Sequence, residues 1–269
     1  MVLNFFSITA QEPIEVALES RPSSQGIQPA FEVVVPQATT NDAVKLWENT
    51  IISRSLFTRS PKMKKEKDEW VVRDIVIDDI TSEPLDVYAQ VSSFTDNIYV
   101  RLFFRDKDGF IGSSGSSQQV VGAAKQFVRN YGVDLYRLAV ENELKEEEKQ
   151  LQSLESNLNK MQRKNRSFNK KVNKAERAEG NLSNDLKDNQ DILKGRRGAD
   201  VEITSEEARE ELEKEIKSNQ KEIRKAKREQ SKFDRKISRN EKEQAELEDE
   251  ISEQRSRIAT VKARLNNIR

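Results

Sequence analysis

The chain contains no cysteine and no histidine. The first absence excludes disulfides, thiolate zinc sites, iron–sulfur clusters and a cysteine nucleophile. The second excludes a Ser-His-Asp triad and imidazole metal ligands. Apolar residues are scarce as well. Of 269 residues 35% are hydrophobic and 35% charged, whereas ordinary domains are about 45–50% apolar and about 25% charged. That balance argues against one large globular core. No segment reaches the roughly 18–20 apolar residues that a membrane-spanning helix needs.

Proline and the aromatic residues are unevenly distributed. Residues 1–135 hold all 6 prolines, both tryptophans and most of the glycines. Beyond residue 135 the aromatics are Tyr136, Phe168 and Phe233 alone. A long, polar, proline-free stretch is the signature of long helix. Charge splits too: residues 1–135 carry 14 Lys+Arg and 18 Asp+Glu, and residues 136–269 carry 33 and 29. The net charge of zero therefore hides an acidic first part and a basic second part. The expected fold is α+β: a small antiparallel-sheet domain with two helices, followed by a long antiparallel α-helical coiled-coil hairpin.

The first residues, MVLNFFSITA before Gln11-Glu12-Pro13, resemble the back half of a secretory signal peptide, without its basic start. Residues 1–11 are read as a truncated signal, with a frayed apolar terminus or extra strand as the alternative. Residues 12–29, with Pro13, Pro22, Gly26 and Pro29, read as an irregular arm. The α+β domain is expected over 30–135. Ala30–Pro36 is a strand. Thr39-Thr40-Asn41-Asp42 caps a helix that places Val44, Trp47 and Ile51 on one face, with Leu46 alongside. Ser60–Asp68 is a basic turn. Four β-rich runs follow at Trp70–Val72, Ile75–Ile77, Leu85–Val91 and Ile98–Phe104. The last two alternate with period two, which predicts one buried and one solvated face. Thr95-Asp96-Asn97 forms a hairpin turn. After a Gly/Ser loop, Val120, Ala124, Phe127, Val128 and Tyr131 open a helix that runs on into the coiled coil.

No catalytic, cofactor or metal site emerges. Asp106-Lys107-Asp108-Gly109 resembles the middle of an EF-hand loop, but Phe104 and Gly115 occupy the first and last ligand positions. It reads as a turn. Asp78 and Asp79 are adjacent, and on an extended chain they point to opposite faces. Gly112–Ser117 precedes a helix but lacks the Gly-Lys-Ser/Thr end of a P-loop. Trp47 and Trp70 read as packing.

Coiled-coil helix 1 is expected over 136–195, a turn over 196–204 and helix 2 over 205–269. Leu144, Leu151, Leu158, Asn165, Val172, Glu179, Leu186 and Leu193 recur every seventh residue, at position a of a heptad labelled a to g. Glu147, Leu154, Met161, Phe168, Ala175, Leu182 and Asn189 occupy position d. Gly195–Asp200 breaks the pattern, and Thr204-Ser205-Glu206-Glu207 is a capping box. A second seam has Leu212, Asn219, Ala226, Phe233, Asn240, Leu247, Gln254, Val261 and Ile268 at d. Ile216, Ile223, Gln230, Ile237, Gln244, Ile251, Ile258 and Leu265 stand at a. Two seams of matched length around one turn form an antiparallel hairpin; two helices pairing with other chains are the alternative.

The register follows from the asparagines. If facing residue numbers add to 405, Asn165 meets Asn240, Phe168 meets Ile237, Val172 meets Phe233, Leu158 meets Leu247 and Leu154 meets Ile251. If they add to 398, each asparagine faces carbon, at about 1–3 kcal/mol for each unsatisfied amide. Asn165 and Asn240 are therefore the expected register-setting polar layer. Val261–Ile268 then returns to Arg137–Leu144.

Charge lies in blocks. Residues 160–177 hold eight Lys+Arg and one acid, and residues 217–239 hold ten and three. The candidate anion-binding belt comprises Lys160, Arg163, Lys164, Arg166, Lys170, Lys171, Lys174, Lys225, Arg228, Lys232, Arg235, Lys236 and Arg239. Acidic stretches flank it at 206–215, 241–253 and 141–148. A solvated surface laced with intrahelical ion pairs, an anion-binding stretch and staggered self-association are the competing readings. Base-stacking aromatics are not interleaved with the cations.

Phe5–Gln11, the strand–helix pair 30–53, the run Asp86-Val87-Tyr88-Ala89-Gln90-Val91 and the junction 127–151 together resemble a group of uncharacterised Gram-negative envelope proteins. These combine an export signal, a small α+β domain and a C-terminal coiled coil. The resemblance implies a periplasmic or envelope location and no known activity; a cytoplasmic location is the alternative. The sequence thus points to a non-enzymatic structural or interaction protein. Its α+β domain would bind a protein partner, and its hairpin would act as spacer or docking arm. The alternative is binding of an anionic polymer (nucleic acid, acidic glycan or anionic lipid) through the belt. Self-association is a further expectation, and no small-molecule substrate or cofactor is indicated.

Overall fold

The structure, a computed structural model, describes residues 14–54, 62–195 and 206–268. The expected signal at 1–11, the Thr204 cap and the whole of the 196–204 turn lie outside those residues. The chain divides into two compact units. One contains residues up to Glu146 together with Ile258 onward, and the other is Glu147–Arg257.

The first unit is built on a six-stranded antiparallel sheet. Its strands are β1 (Val16–Ser23), β2 (Gly26–Pro36), β3 (Lys64–Glu66), β4 (Glu69–Ile77), β5 (Thr81–Phe94) and β6 (Asn97–Arg105), in the order β1-β2-β6-β5-β4-β3. Helix α1 (Thr40–Arg54) follows β2, α2 (Gln118–Leu193) follows β6, and α3 is Glu206–Asn267. The α+β class holds, with a small sheet domain and two long helices packed as a hairpin.

Several elements differ from the sequence expectation. The arm at 12–29 contains strand β1 and the start of β2, paired from Val16↔Val33 to Ser23↔Gly26. Its prolines had concealed it. Pro22 lies on an edge strand, and Pro29 precedes the first β2–β6 pair at Phe31↔Leu102. Neither position costs the sheet interior a donor. The basic turn contains β3, a three-residue strand on β4. The separate runs at 70–72 and 75–77 are one strand, interrupted between Val72 and Ile75, where Asp74 has φ +57°. Asp78 and Asp79 stand in the β4–β5 turn, not on extended chain.

Thr39 caps α1: its Oγ1 accepts from Asp42 N at 3.1 Å and donates to Asp42 Oδ2 at 2.7 Å. The helix buries Ala43, Trp47 and Ile51, so Ala43 holds the position expected of Val44. These residues join Phe31, Val33, Val87, Leu102, Phe104, Phe127, Val128 and Tyr131 in the main core. Trp47 stands edge-on to Tyr131 at 5.6 Å, and the Tyr131 hydroxyl donates to Ala43 O at 2.7 Å. Gly132 lets α2 approach β2. A Cβ there would lie 2.7 Å from Val33 Cγ2 and 2.9 Å from Ile14 Cγ2.

The other face of the sheet was expected to be solvated. Instead Ala30, Val71, Tyr88 and Phe103 form a second buried cluster, with Phe110 packed against it. The tip of the β1–β2 hairpin crosses this face. Gln90 Nε2 donates to Pro22 O at 2.9 Å, and Ser24 N donates to Glu69 Oε1 at 3.0 Å. Buried Glu32 bridges Arg21 and Arg101 on the same face.

The composition break at 135 is not a unit boundary. Leu135, Tyr136 and Val140 are buried in the main core together with Val261 and Ile268 from α3. Arg264 pairs with Glu143, and Arg137 Nη2 donates to Ile268 O at 3.5 Å.

Candidate interaction surface of the helical hairpin

In the second unit the apolar residues at a and d face inward and the charged ones outward, as the heptads require. Val172, Ala175, Ala226 and Ile251 are buried. Phe168 and Phe233 stack in adjacent layers, with ring centroids 6.1 Å apart. Asn240 Nδ2 donates to Asn165 Oδ1 at 2.5 Å and to Met161 O at 2.9 Å. The structure thus brings together the two amides that the first alignment sets face to face. A second polar contact, between neighbouring layers of the seam, is one the heptad pattern alone does not announce. Gln254, 4% exposed, donates to Glu147 O at 2.9 Å and to Glu147 Oε2 at 2.5 Å. Both residues stand at d, and a polar residue at each of two seam positions was the available signal.

All thirteen belt cations lie in this unit, and every one is exposed. Their heptad positions are the informative feature. Lys160, Lys174, Lys225, Lys232 and Arg239 stand at c. Arg163, Lys170, Arg228 and Arg235 stand at f. Lys164, Lys171 and Lys236 stand at g, and Arg166 alone is at b. Positions f, c and g form one continuous arc of a helix.

The two arcs border the same flank. Lys171 Nζ lies 5.2 Å from the Phe233 ring centroid, and Lys236 Nζ lies 5.6 Å and 5.7 Å from those of Phe168 and Phe233. Both lysines are at g, so g meets g across the seam. On the other flank Arg255 pairs with Glu155 at 2.8 Å, and both are at e.

Two belt cations are paired: Lys225 with Glu222 at 3.5 Å and Arg239 with Glu243 at 3.0 Å. The other eleven have no carboxylate within 4.0 Å among the described residues. Ten of these eleven, all but Arg166, lie on the f–c–g arc, and such an array of exposed cations without carboxylate partners raises the local potential and attracts anions from solution.

The first unit offers a different surface. A cleft of about 350 Å³ lies at the β5–β6 turn, lined by Gln37, Ala38, Ser93, Thr95, Asp96, Asn97 and Ile98. Phe94, in the same turn, is 72% exposed. The EF-hand-like segment is a turn: Asp106 Oδ1 accepts from Asp108 N at 2.8 Å and Gly109 N at 2.9 Å. Asp106 therefore spends its carboxylate on the backbone. Among the described residues no group of three or more acidic side chains is gathered as a metal site requires. None of the described helices is long and apolar enough to cross a membrane.

The fold defines an α+β protein carrying an antiparallel helical hairpin. Comparison with protein-family models, with curated proteins and with solved structures gives no match.

Proposed function

We propose that this is a non-enzymatic interaction protein of the cell envelope, whose sheet unit binds a protein partner and whose helical hairpin serves as spacer or docking arm. The observation that carries the reading is the division of surface in the hairpin. Its two helices bury a narrow a/d seam and leave a long charged exterior exposed. About 47 residues of α2, from 147 to 193, correspond to roughly 70 Å at about 1.5 Å per residue. In the sheet unit, exposed Phe94 beside the cleft is the anchor that a protein partner would cover, since buried aromatics dominate such contacts.

The test uses the full chain as bait in envelope extract, beside a Phe94→Asp variant. A protein retained by the wild type and lost from the variant is the expected result. Retention of the same proteins by both would overturn the role of this surface.

The second reading is binding of an anionic polymer, favoured by the unpaired cations on one flank. Charge reversal at Lys170, Lys171, Lys232 and Lys236 should abolish retention on heparin. Unchanged retention would dismiss it.

A further inference from the structure

We infer that the outer face of α3 between Lys232 and Glu253 is a docking surface for a second copy of this chain, related to the first by a two-fold axis passing between Lys242 and Glu243. The inference rests on the hairpin being a docking arm, and it names what the arm docks on. The order of charges carries it. Taken in sequence, the c, f and g positions of α3 from residue 232 carry Lys232, Arg235, Lys236, Arg239 and Lys242. The next five such positions carry Glu243, Glu246, Asp249, Glu250 and Glu253. Every outer position on this arc is charged, and the sign changes once, at the centre.

A run of this kind is complementary to its own reversed copy. Laid antiparallel on itself, α3 sets Lys232 against Glu253, Arg235 against Glu250, Lys236 against Asp249, Arg239 against Glu246 and Lys242 against Glu243. The residue numbers in every pair add to 485. The two-fold axis forms each pair twice, and the contact is closed and isologous. A parallel, staggered arrangement sets Lys236 against Leu247 and leaves half of each run open.

Local helix stabilisation does not require this order. Intrahelical pairing works between residues three or four apart, so it favours signs that alternate along the face. Segregation into two halves gives up such pairs except near the midpoint. The structure agrees: within the run Arg239–Glu243, at 3.0 Å, is paired. Lys232, Arg235, Lys236 and Lys242 have no carboxylate within 4.0 Å among the described residues, and Glu246, Asp249, Glu250 and Glu253 have no cation there. All eight are exposed. On α2, Lys170, Lys171 and Lys174 stand level with residues 235, 234 and 231 and reinforce the positive half. Exposed ion pairs are individually weak and screened by salt, so the association is reversible and dependent on ionic strength.

The experiment is sedimentation of the full chain at about 0.05 M and about 0.5 M salt, which spans the range where screening becomes severe. Dimer at low salt and monomer at high salt are expected. Two triple variants, K232E/R235E/R239E and E246K/E250K/E253K, should each be monomeric at low salt, because each then repels its own copy. Mixed one to one, they should restore the dimer, since all three altered pairs are again opposite in sign. Circular dichroism checks that both stay helical. Should either unfold, Glu243→Cys decides. The chain has no other cysteine, and this thiol, beside the axis, should form an intermolecular disulfide that Lys225→Cys does not. A wild-type chain monomeric at low salt overturns the inference, as does a variant that keeps the dimer or a mixture that stays monomeric. Heparin binding through Lys232 and Arg235 by a monomeric chain overturns it in favour of an acidic polymer. The triple variants leave Phe94 untouched, so loss of self-docking is distinguishable from loss of a partner of the sheet unit.

Discussion

Asn240 donates to Asn165 across the seam of the hairpin, and its second donor contact ends on Met161 O, so the amide nitrogen is fully engaged. Asn240→Leu removes the donor and leaves Asn165 facing carbon. It should lower stability by about 1–3 kcal/mol. The double change N165L/N240L should recover most of that loss in thermal denaturation and weaken the preference for one register. Cysteine pairs at 158 and 247 would report the register by their disulfide yield, and an undiminished yield in the double variant would count against the asparagines as its determinant.

The glycines of α2 should respond with opposite sign. At Gly132 a methyl group meets Val33 and Ile14 at under 3 Å, whereas at Gly122 it meets nothing within 4 Å. Gly132→Ala should cost about 1–3 kcal/mol through overpacking. Gly122→Ala should gain about 0.5–1 kcal/mol from backbone entropy. Urea denaturation of the two variants measures both, and a common sign would refute the packing argument.

Glu32 is buried between Arg21 and Arg101 on the sheet face opposite the helices. Glu32→Ala leaves Arg101 without its carboxylate and Arg21 with Glu19 alone, and should destabilise by about 1–3 kcal/mol. Glu19, exposed and also paired with Arg21, is the control; Glu19→Ala should change stability by at most about 1 kcal/mol. Equal losses would remove the distinction.

Alkaline unfolding should carry the mark of Tyr131. Burial raises its phenol above the usual value, and burial also raises that of Tyr136, with Arg264 opposing. The neutral form is the one the fold favours. Its contribution is complete below the unfolded value of about 10 and is lost as pH rises from there towards the higher folded value. Tyr131→Phe should flatten the decline in melting temperature above about pH 10. It should also cost about 0.5–1.5 kcal/mol at neutral pH by removing the bond to Ala43 O. A decline of unchanged steepness would assign the alkaline loss to other groups.

The long helices were legible because heptads declare their inward face, and Asn165 and Asn240 were legible because a buried amide needs a partner. Strand β1 was not: Ile14, Val16 and Leu18 alternate as a strand requires, but Pro13, Pro22 and Pro29 around that short run outweigh it, and the sheet order shows Pro22 harmless on an edge. The second buried face depends on chain from outside the strands that carry it: Phe110 packs on Tyr88, and the β1–β2 tip reaches Gln90 from the far edge of the sheet. The belt was legible as composition, yet the gathering of all but Arg166 on one arc of each helix, bordering one flank, required the knowledge that g meets g. The charge order of α3 was present in the sequence throughout, hidden because block sums discard position.

Val261 and Ile268 lie in the same core as Phe31 and Leu135. During synthesis, therefore, the sheet emerges long before the side chains that finish its interior. Residues 147–257 amount to an insertion in the loop that joins those two parts. Loop entropy rises only as the logarithm of length, and the hairpin can fold locally and draw the ends together before they meet. The sheet unit must wait, with an incomplete apolar surface, until the final turns of α3 are made. Its maturation is thereby tied to that of the hairpin, and a chain interrupted after Arg257 would present the quality-control machinery with an exposed core.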